Sequence, residues 1–131
     1  LSPLSLIEKD GKQYMSIYEG ELTQAEMAKC MARLKIAFPS LPKEFYRLLG
    51  NRMKEKGFTD DKMRDAINYV IDNCKYPIPT ISEILSYDRV AKLYSYNEVS
   101  NMVMRGQASF DDFEKREIGG KIYRVLKSDL L

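Results

Sequence analysis

Two pairs of adjacent carboxylates, Asp60-Asp61 and Asp111-Asp112, are the residues best suited by type and spacing to hold a cation or share a proton. Each pair follows a hydroxyl residue, Thr59 or Ser109, at the start of an expected helix, where acids complement the macrodipole and the exposed amides. Capping is therefore the expected role, and no third carboxylate stands at ligand spacing. Nucleophiles fare no better, because the chain has no histidine to take a serine proton and neither a GxSxG elbow nor an SxxK pair. The absence of histidine also removes imidazole acid–base chemistry and the common His-containing zinc sites. Gly119-Gly120 reads as a turn rather than a phosphate cradle, and no Walker-type or GxGxxG loop is present. The expectation is a protein that is not an enzyme, with no catalytic residue, metal, cofactor or small-molecule substrate.

Positive charge is the remaining chemistry. Lys43, Arg47, Arg52, Lys54 and Lys56 face only Glu44 and Glu55 over residues 43–56, and near the end Lys115, Arg116, Lys121, Arg124 and Lys127 face Glu114 and Glu117. A solvated face is the ordinary reading of such runs; contact with phosphates is the functional one. Gly57-Phe58-Thr59 is short enough to join a helix-turn-helix, but Asp60, Asp61, Asp65 and Asp72 outnumber Lys62 and Arg64 on the helix that would enter the groove. The candidate nucleic-acid residues are accordingly Lys43, Arg47, Arg52, Lys54 and Lys56 on the preceding helix, meeting backbone rather than bases, with Lys121 and Arg124 in the final hairpin. Tyr76, Tyr87, Tyr94, Tyr96 and Tyr123 offer stacking surfaces to unpaired bases or anchors to a protein, although tyrosine ordinarily borders a small core with its hydroxyl in water. Tyr87, Tyr94 and Tyr96 are the candidate partner contacts.

The elements that must position these residues follow from patterning. The chain has 131 residues, 44% hydrophobic and 31% charged, with a net charge of +2, which describes one domain over residues 1–131 and no strong global field. Cys30 and Cys74 lie far apart on apolar helical stripes, and there is no signal-peptide pattern or long apolar run, so the expected setting is a reducing cytoplasm away from membranes. The chain begins Leu1-Ser2-Pro3 without an initiator Met, as a processed product or a piece of something longer would.

Asp10-Gly11 between β-tolerant runs predicts a hairpin over residues 1–18, and Gly119-Gly120 predicts another at the end of the segment 109–131. Between them, residues 23–105 read as a helical core. Thr23 to Glu26 has capping-box spacing ahead of Met27, Cys30, Met31, Leu34 and Phe38; Pro42 opens a helix that buries Phe45, Leu48, Leu49 and Met53. Thr59 caps a third helix with the stripe Met63, Ala66, Ile67, Val70, Ile71 and Cys74. Tyr76-Pro77-Ile78-Pro79 is an extended bracket before a second capping box, Thr80 to Glu83, and a short helix. Val90, Leu93 and Tyr94 predict a further helical turn, Tyr96 to Arg105 a helix burying Val99, Met102 and Val103, and Ser109 to Phe113 a capped turn. The fold class is α+β and mainly α: a compact helical domain of about five helices with short β-hairpins at both ends, expected to pair into one small sheet.

Phe38-Pro39, Phe45-Tyr46, Leu49, Phe58-Thr59, Ala66, Val70-Ile71 and Tyr76-Pro77-Ile78-Pro79-Thr80-Ile81-Ser82-Glu83-Ile84 together resemble the small helical domain of phage replicative helicase loader and inhibitor proteins, over about residues 37–85. The resemblance implies a DNA-replication accessory role in a phage or mobile element: an adaptor that binds a hexameric replicative helicase, holds it inactive and delivers it to an origin-bound initiator. This chain has an extra residue between the two prolines, and its terminal hairpins lie outside the resemblance. The alternatives are a direct DNA-binding domain using the basic helix and final hairpin, and a protein-interaction module without nucleic acid.

Overall fold

A computed structural model describes residues 6–131. The backbone divides into two units, one of residues 18–88 and one of residues 6–17 with 89–131. Five helices and two antiparallel sheets make it an α+β fold dominated by helix.

The first unit holds α1 (Gln24–Ala37), α2 (Lys43–Glu55), α3 (Asp60–Asn73) and α4 (Ile81–Leu85). Met27, Cys30 and Leu34 of α1, Leu49 and Met53 of α2, Met63, Ala66, Ile67 and Val70 of α3 and Ile84 of α4 form one buried cluster, so the stripes that patterning places on these helices do meet. Gly50 lets α2 approach α1, since a Cβ there would stand 3.1 Å from Met27 Sδ. Leu48, expected in the core, is 52% exposed. The reason is angular: Phe45, Leu49 and Met53 recur every four residues, and Leu48 lies about 100° from Leu49 around the axis, on the solvent side.

Expected caps are present at Thr59, which accepts from the Lys62 amide, and at Thr80 with Glu83 as a full capping box. At Thr23 only half of the expected box forms. Its hydroxyl accepts from the Glu26 amide, but Glu26 turns its carboxylate to Lys29 and Arg64. The Thr23 amide donates instead to Asp60 Oδ1 (2.7 Å), and Thr23 Oγ1 donates to Asp60 Oδ2 (3.0 Å). The Asp60 amide in turn donates to the Glu21 carbonyl (2.8 Å). One carboxylate of α3 thus completes the N-terminus of α1, a tertiary contact that no local spacing encodes.

The second unit is built on strands. β1 (Leu6–Lys9) and β2 (Lys12–Ser16) form the first hairpin, whose turn residues Asp10 and Gly11 both have positive φ, 54° and 73°, as a type I′ turn requires. Residues 1–5 of the segment 1–18 expected to form this hairpin lie outside the described residues. β4 (Phe113–Ile118) and β5 (Lys121–Leu126) form the second hairpin through Gly119 and Gly120, with φ of 59° and 78°.

The two hairpins do not pair into one sheet as expected. β3 (Val90–Lys92) adds to β2 instead, giving the order β1-β2-β3, and β4-β5 stays a two-stranded sheet joined to this segment by an isolated bridge between Tyr94 and Arg124. The helical turn expected from Val90, Leu93 and Tyr94 is therefore a strand. Val90 and Leu93 fit helical spacing, but Ala91 and Leu93 are buried while Val90 is exposed, a period of two, and the free edge of β2 supplied partners for the backbone. Met15, Ala91, Leu93, Ile118, Tyr123 and Val125 form the core of this unit. α5 (Tyr96–Met104) belongs to it, buries Val99, and starts with a capping box of Ser95 and Glu98; Met102 and Val103 are only half-buried. The capped turn expected at Ser109 is a 3-10 turn over Phe110–Asp112.

Candidate nucleic-acid interface

The four cations of α2 and Lys56 at its C-cap separate into two sets. Lys43, Arg47 and Lys54 recur at i, i+4 and i+11, which places them within about 40° of one another around the helix axis and along about 16 Å of it. All three are exposed and have no ion-pair partner among the described residues. Arg52 and Lys56 lie on the far side of the axis, and Arg52 is paired with Glu55. The Lys43 row is thus a stripe of positive charge without an ion pair among the described residues, suited to consecutive phosphates or to an acidic protein surface.

Beside this row, Met31, Ala32, Lys35, Leu41, Lys43 and Tyr46 line a groove of about 410 Å³ between α1 and α2. The lining combines apolar side chains with two lysines, Lys35 and Lys43. The Tyr46 hydroxyl is buried without a hydrogen-bonding partner among the described residues, and burial pushes its pKa up from the ordinary tyrosine value.

Tyr87 is spoken for within the first unit. Its ring packs against Tyr18 and Tyr69, and its hydroxyl lies 3.1 Å from that of Tyr18, which donates to Asp65 Oδ2 at 2.8 Å. Burial, the Tyr87 hydroxyl and the Asp65 carboxylate, in that order, drive the Tyr18 pKa far above its ordinary value. Patterning passed over this network because Tyr18 and Tyr87 lie far in sequence from Asp65 and Tyr69 of α3. Tyr76, at 69% exposed, lines instead a shallow groove of about 260 Å³ with Tyr69, Val70, Cys74 and Glu83.

In the second unit, strand parity sorts the remaining candidates. Lys121 pairs with Ile118 and Tyr123 with Arg116, so both belong to the core-facing side of the β4-β5 hairpin: Tyr123 is buried and Lys121 is exposed at the turn. Arg124 belongs to the opposite side, directly across from Lys115, and its guanidinium sits 5.0 Å from the Tyr96 ring. Tyr94 is half-buried, edge-on to Phe113 at 5.5 Å, with Lys92 Nζ 4.8 Å from its ring; burial, then Asp129 and Glu98, raise its pKa. Tyr96 stacks on Phe110 with centroids 5.9 Å apart and planes 26° from parallel. Phe110 and Lys115 escaped the list of candidates because the first reads as a turn residue and the second as one cation of a mixed run.

Three of the four paired carboxylates have structural partners. Asp60 completes the α1 cap, Asp61 pairs with Arg64 at 2.7 Å, and Asp112 accepts from the Ser109 amide at 2.9 Å. Among the described residues no group of three or more Cys, Asp or Glu side chains is placed to hold a metal ion, and no helix is long and apolar enough to cross a membrane. Cys30 is buried and Cys74 half-buried, both as free thiols; burial raises the Cys30 pKa.

Comparisons with known proteins return no match to a protein-family model, a curated protein or a solved structure.

Proposed function

We propose that this protein is a non-enzymatic DNA-replication accessory factor, a helicase-loader-like adaptor that works by surface contact with a replicative helicase or initiator. The observation that carries the reading is the correspondence between chemistry and fold in the first unit. Residues 37–85, which resemble the loader domain, supply most of the core of the unit 18–88: Phe38, Leu49, Phe58, Ala66, Val70 and Ile84 are all buried, and Thr80 with Glu83 forms its capping box. Two surfaces of this unit are open to partners: the row Lys43, Arg47 and Lys54, and the groove beside it, which Met31, Ala32 and Lys35 of α1 complete.

Incubating the chain with the purified hexameric helicase of its source, followed by size-exclusion chromatography and an ATPase assay, tests the reading. Co-elution with a changed ATPase rate is expected. Helicase that elutes and turns over as if alone at micromolar concentrations would overturn it.

A second reading, direct binding to duplex DNA, is favoured by the unpaired cation row. It predicts affinity that falls steeply with salt, and the triple change Lys43→Gln, Arg47→Gln, Lys54→Gln should lower the slope of log K against log salt by about 2 to 3. An unchanged slope would remove α2 from any DNA contact.

A further inference from the structure

We propose that the outer face of the β4-β5 hairpin, together with the start of α5, is a binding platform for single-stranded nucleic acid, in which bases stack on Tyr96 and Phe110 and phosphates meet Arg124 and Lys115. The platform lies outside residues 37–85 and does not rest on the adaptor reading.

Exposure is the first ground. Tyr96 is 56% exposed and Phe110 42% exposed, although each has an aromatic ring that burial would favour. Ile122, two residues from Arg124 on the same strand face, is 58% exposed. Flat apolar surface is thus held at the surface of a small unit by strand parity and two helix caps. Both caps are boxes, Ser95 with Glu98 and Ser109 with Asp112, so the positions of Tyr96 and Phe110 directly after them are set by the backbone.

Charge is the second. Arg124 contacts the Tyr96 ring, and Lys115 stands opposite Arg124 across the hairpin with no ion-pair partner among the described residues. Two of the acids of these elements are engaged by their own caps: Glu98 Oε1 accepts from the Ser95 amide and Asp112 Oδ2 from the Ser109 amide. Glu117 shares the strand face at its turn end, two residues from Lys115. The ring pair is thus bordered by Arg124 and Lys115, with Asp111 beside Phe110 and Glu117 at the turn end as the exposed carboxylates of this region.

Stacked rings beside a guanidinium recognise the π-face of a base together with its phosphate. In a duplex those faces are covered by neighbouring base pairs, so an unpaired strand is the ligand that satisfies both halves of the surface. Sequence preference should be weak, because every base has such a face.

Fluorescence anisotropy of a labelled oligo(dT) and of a blunt duplex, with the full chain at low and moderate salt, tests the proposal. The α2 triple Gln variant serves as the background, so that loss on this face cannot be confused with loss on α2. Binding of the single strand over the duplex is expected. Combined Tyr96→Ala and Phe110→Ala should weaken it roughly ten- to a hundredfold, Tyr96→Phe should restore most of the loss relative to Tyr96→Ala, and Arg124→Gln should lower the salt slope by about 0.7. Circular dichroism of each variant separates lost stacking from lost folding. No binding of the oligonucleotide, equal binding of the duplex, or indifference to the aromatic changes in folded variants would overturn the proposal. Self-association abolished by Tyr96→Ala, without oligonucleotide binding, would reassign the face to a protein contact.

Discussion

Replacing Asp60 with Ala decides whether the most reactive-looking carboxylate pair in the chain is scaffold or chemistry. In the structure Asp60 accepts from both the amide (2.7 Å) and the hydroxyl (3.0 Å) of Thr23. Hydrogen bonds to a charged acceptor contribute about 1.5–3 kcal/mol each when protected from water, and loss of an N-cap partner costs about 1 kcal/mol. Both groups here are reached by solvent, which brings the combined effect to about 2 kcal/mol, or about thirtyfold in the folding equilibrium. Asp61→Ala is the internal control: it removes the same charge from the same helical turn, with the same loss to the macrodipole, but its exposed pair with Arg64 is worth at most about 1 kcal/mol. Urea unfolding followed by circular dichroism, with the m-value held constant between variants, measures the difference. Thr23→Val with Asp60→Ala should cost less than the sum of the two single changes, since they share one bond. Equal losses for Asp60→Ala and Asp61→Ala would refute the clamp. A gain in stability on removing Asp60 would refute it more decisively, because carboxylates kept together for function cost stability.

Ile67→Asp should leave no cooperative unfolding transition, because it places an unpaired charge in a fully buried position of the first unit; a melt close to wild type would mean that the α3 stripe is not core. Leu48→Lys should change stability by less than about 0.5 kcal/mol, since the side chain is on the solvent side of α2; a loss above about 1.5 kcal/mol in urea unfolding would contradict that placement. Tyr18 holds its proton more tightly folded than unfolded, so its contribution is complete below the ordinary tyrosine value near 10 and is lost as pH rises above it. Stability of the wild type should therefore fall more steeply between about pH 10 and 11 than that of Tyr18→Phe, and parallel profiles would show that the hydroxyl is not held as described.

The helices of the first unit were legible because each stripe recurs at 3.6 residues and is bounded by a hydroxyl cap, a glycine or a proline: Met63 to Val70 between Thr59 and Pro77 is the clearest case. The hairpin turns were legible for an equally local reason, since Asp10-Gly11 and Gly119-Gly120 tolerate the positive φ that the turn needs. Local rules failed where a partner distant in sequence decided the outcome. Residues 90–92 became a strand because β2 had a free edge, and the two hairpins were kept in separate sheets by the same insertion. Glu26 lost its capping role to Asp60, which is 34 positions away in the chain.

The candidate surface follows the same division. Composition and spacing alone determined that this chain offers charge and aromatic surface and no imidazole. Only tertiary structure decided which of those groups act together: it left Lys43, Arg47 and Lys54 as an unpaired row while Arg52 pairs with Glu55, turned Tyr123 and Lys121 to the core-facing side of the last hairpin, and brought Phe110 and Arg124 each against Tyr96. The physical reason is that residue type fixes what a side chain can bind, whereas strand parity, helical phase and the contacts of distant segments fix what stands beside it.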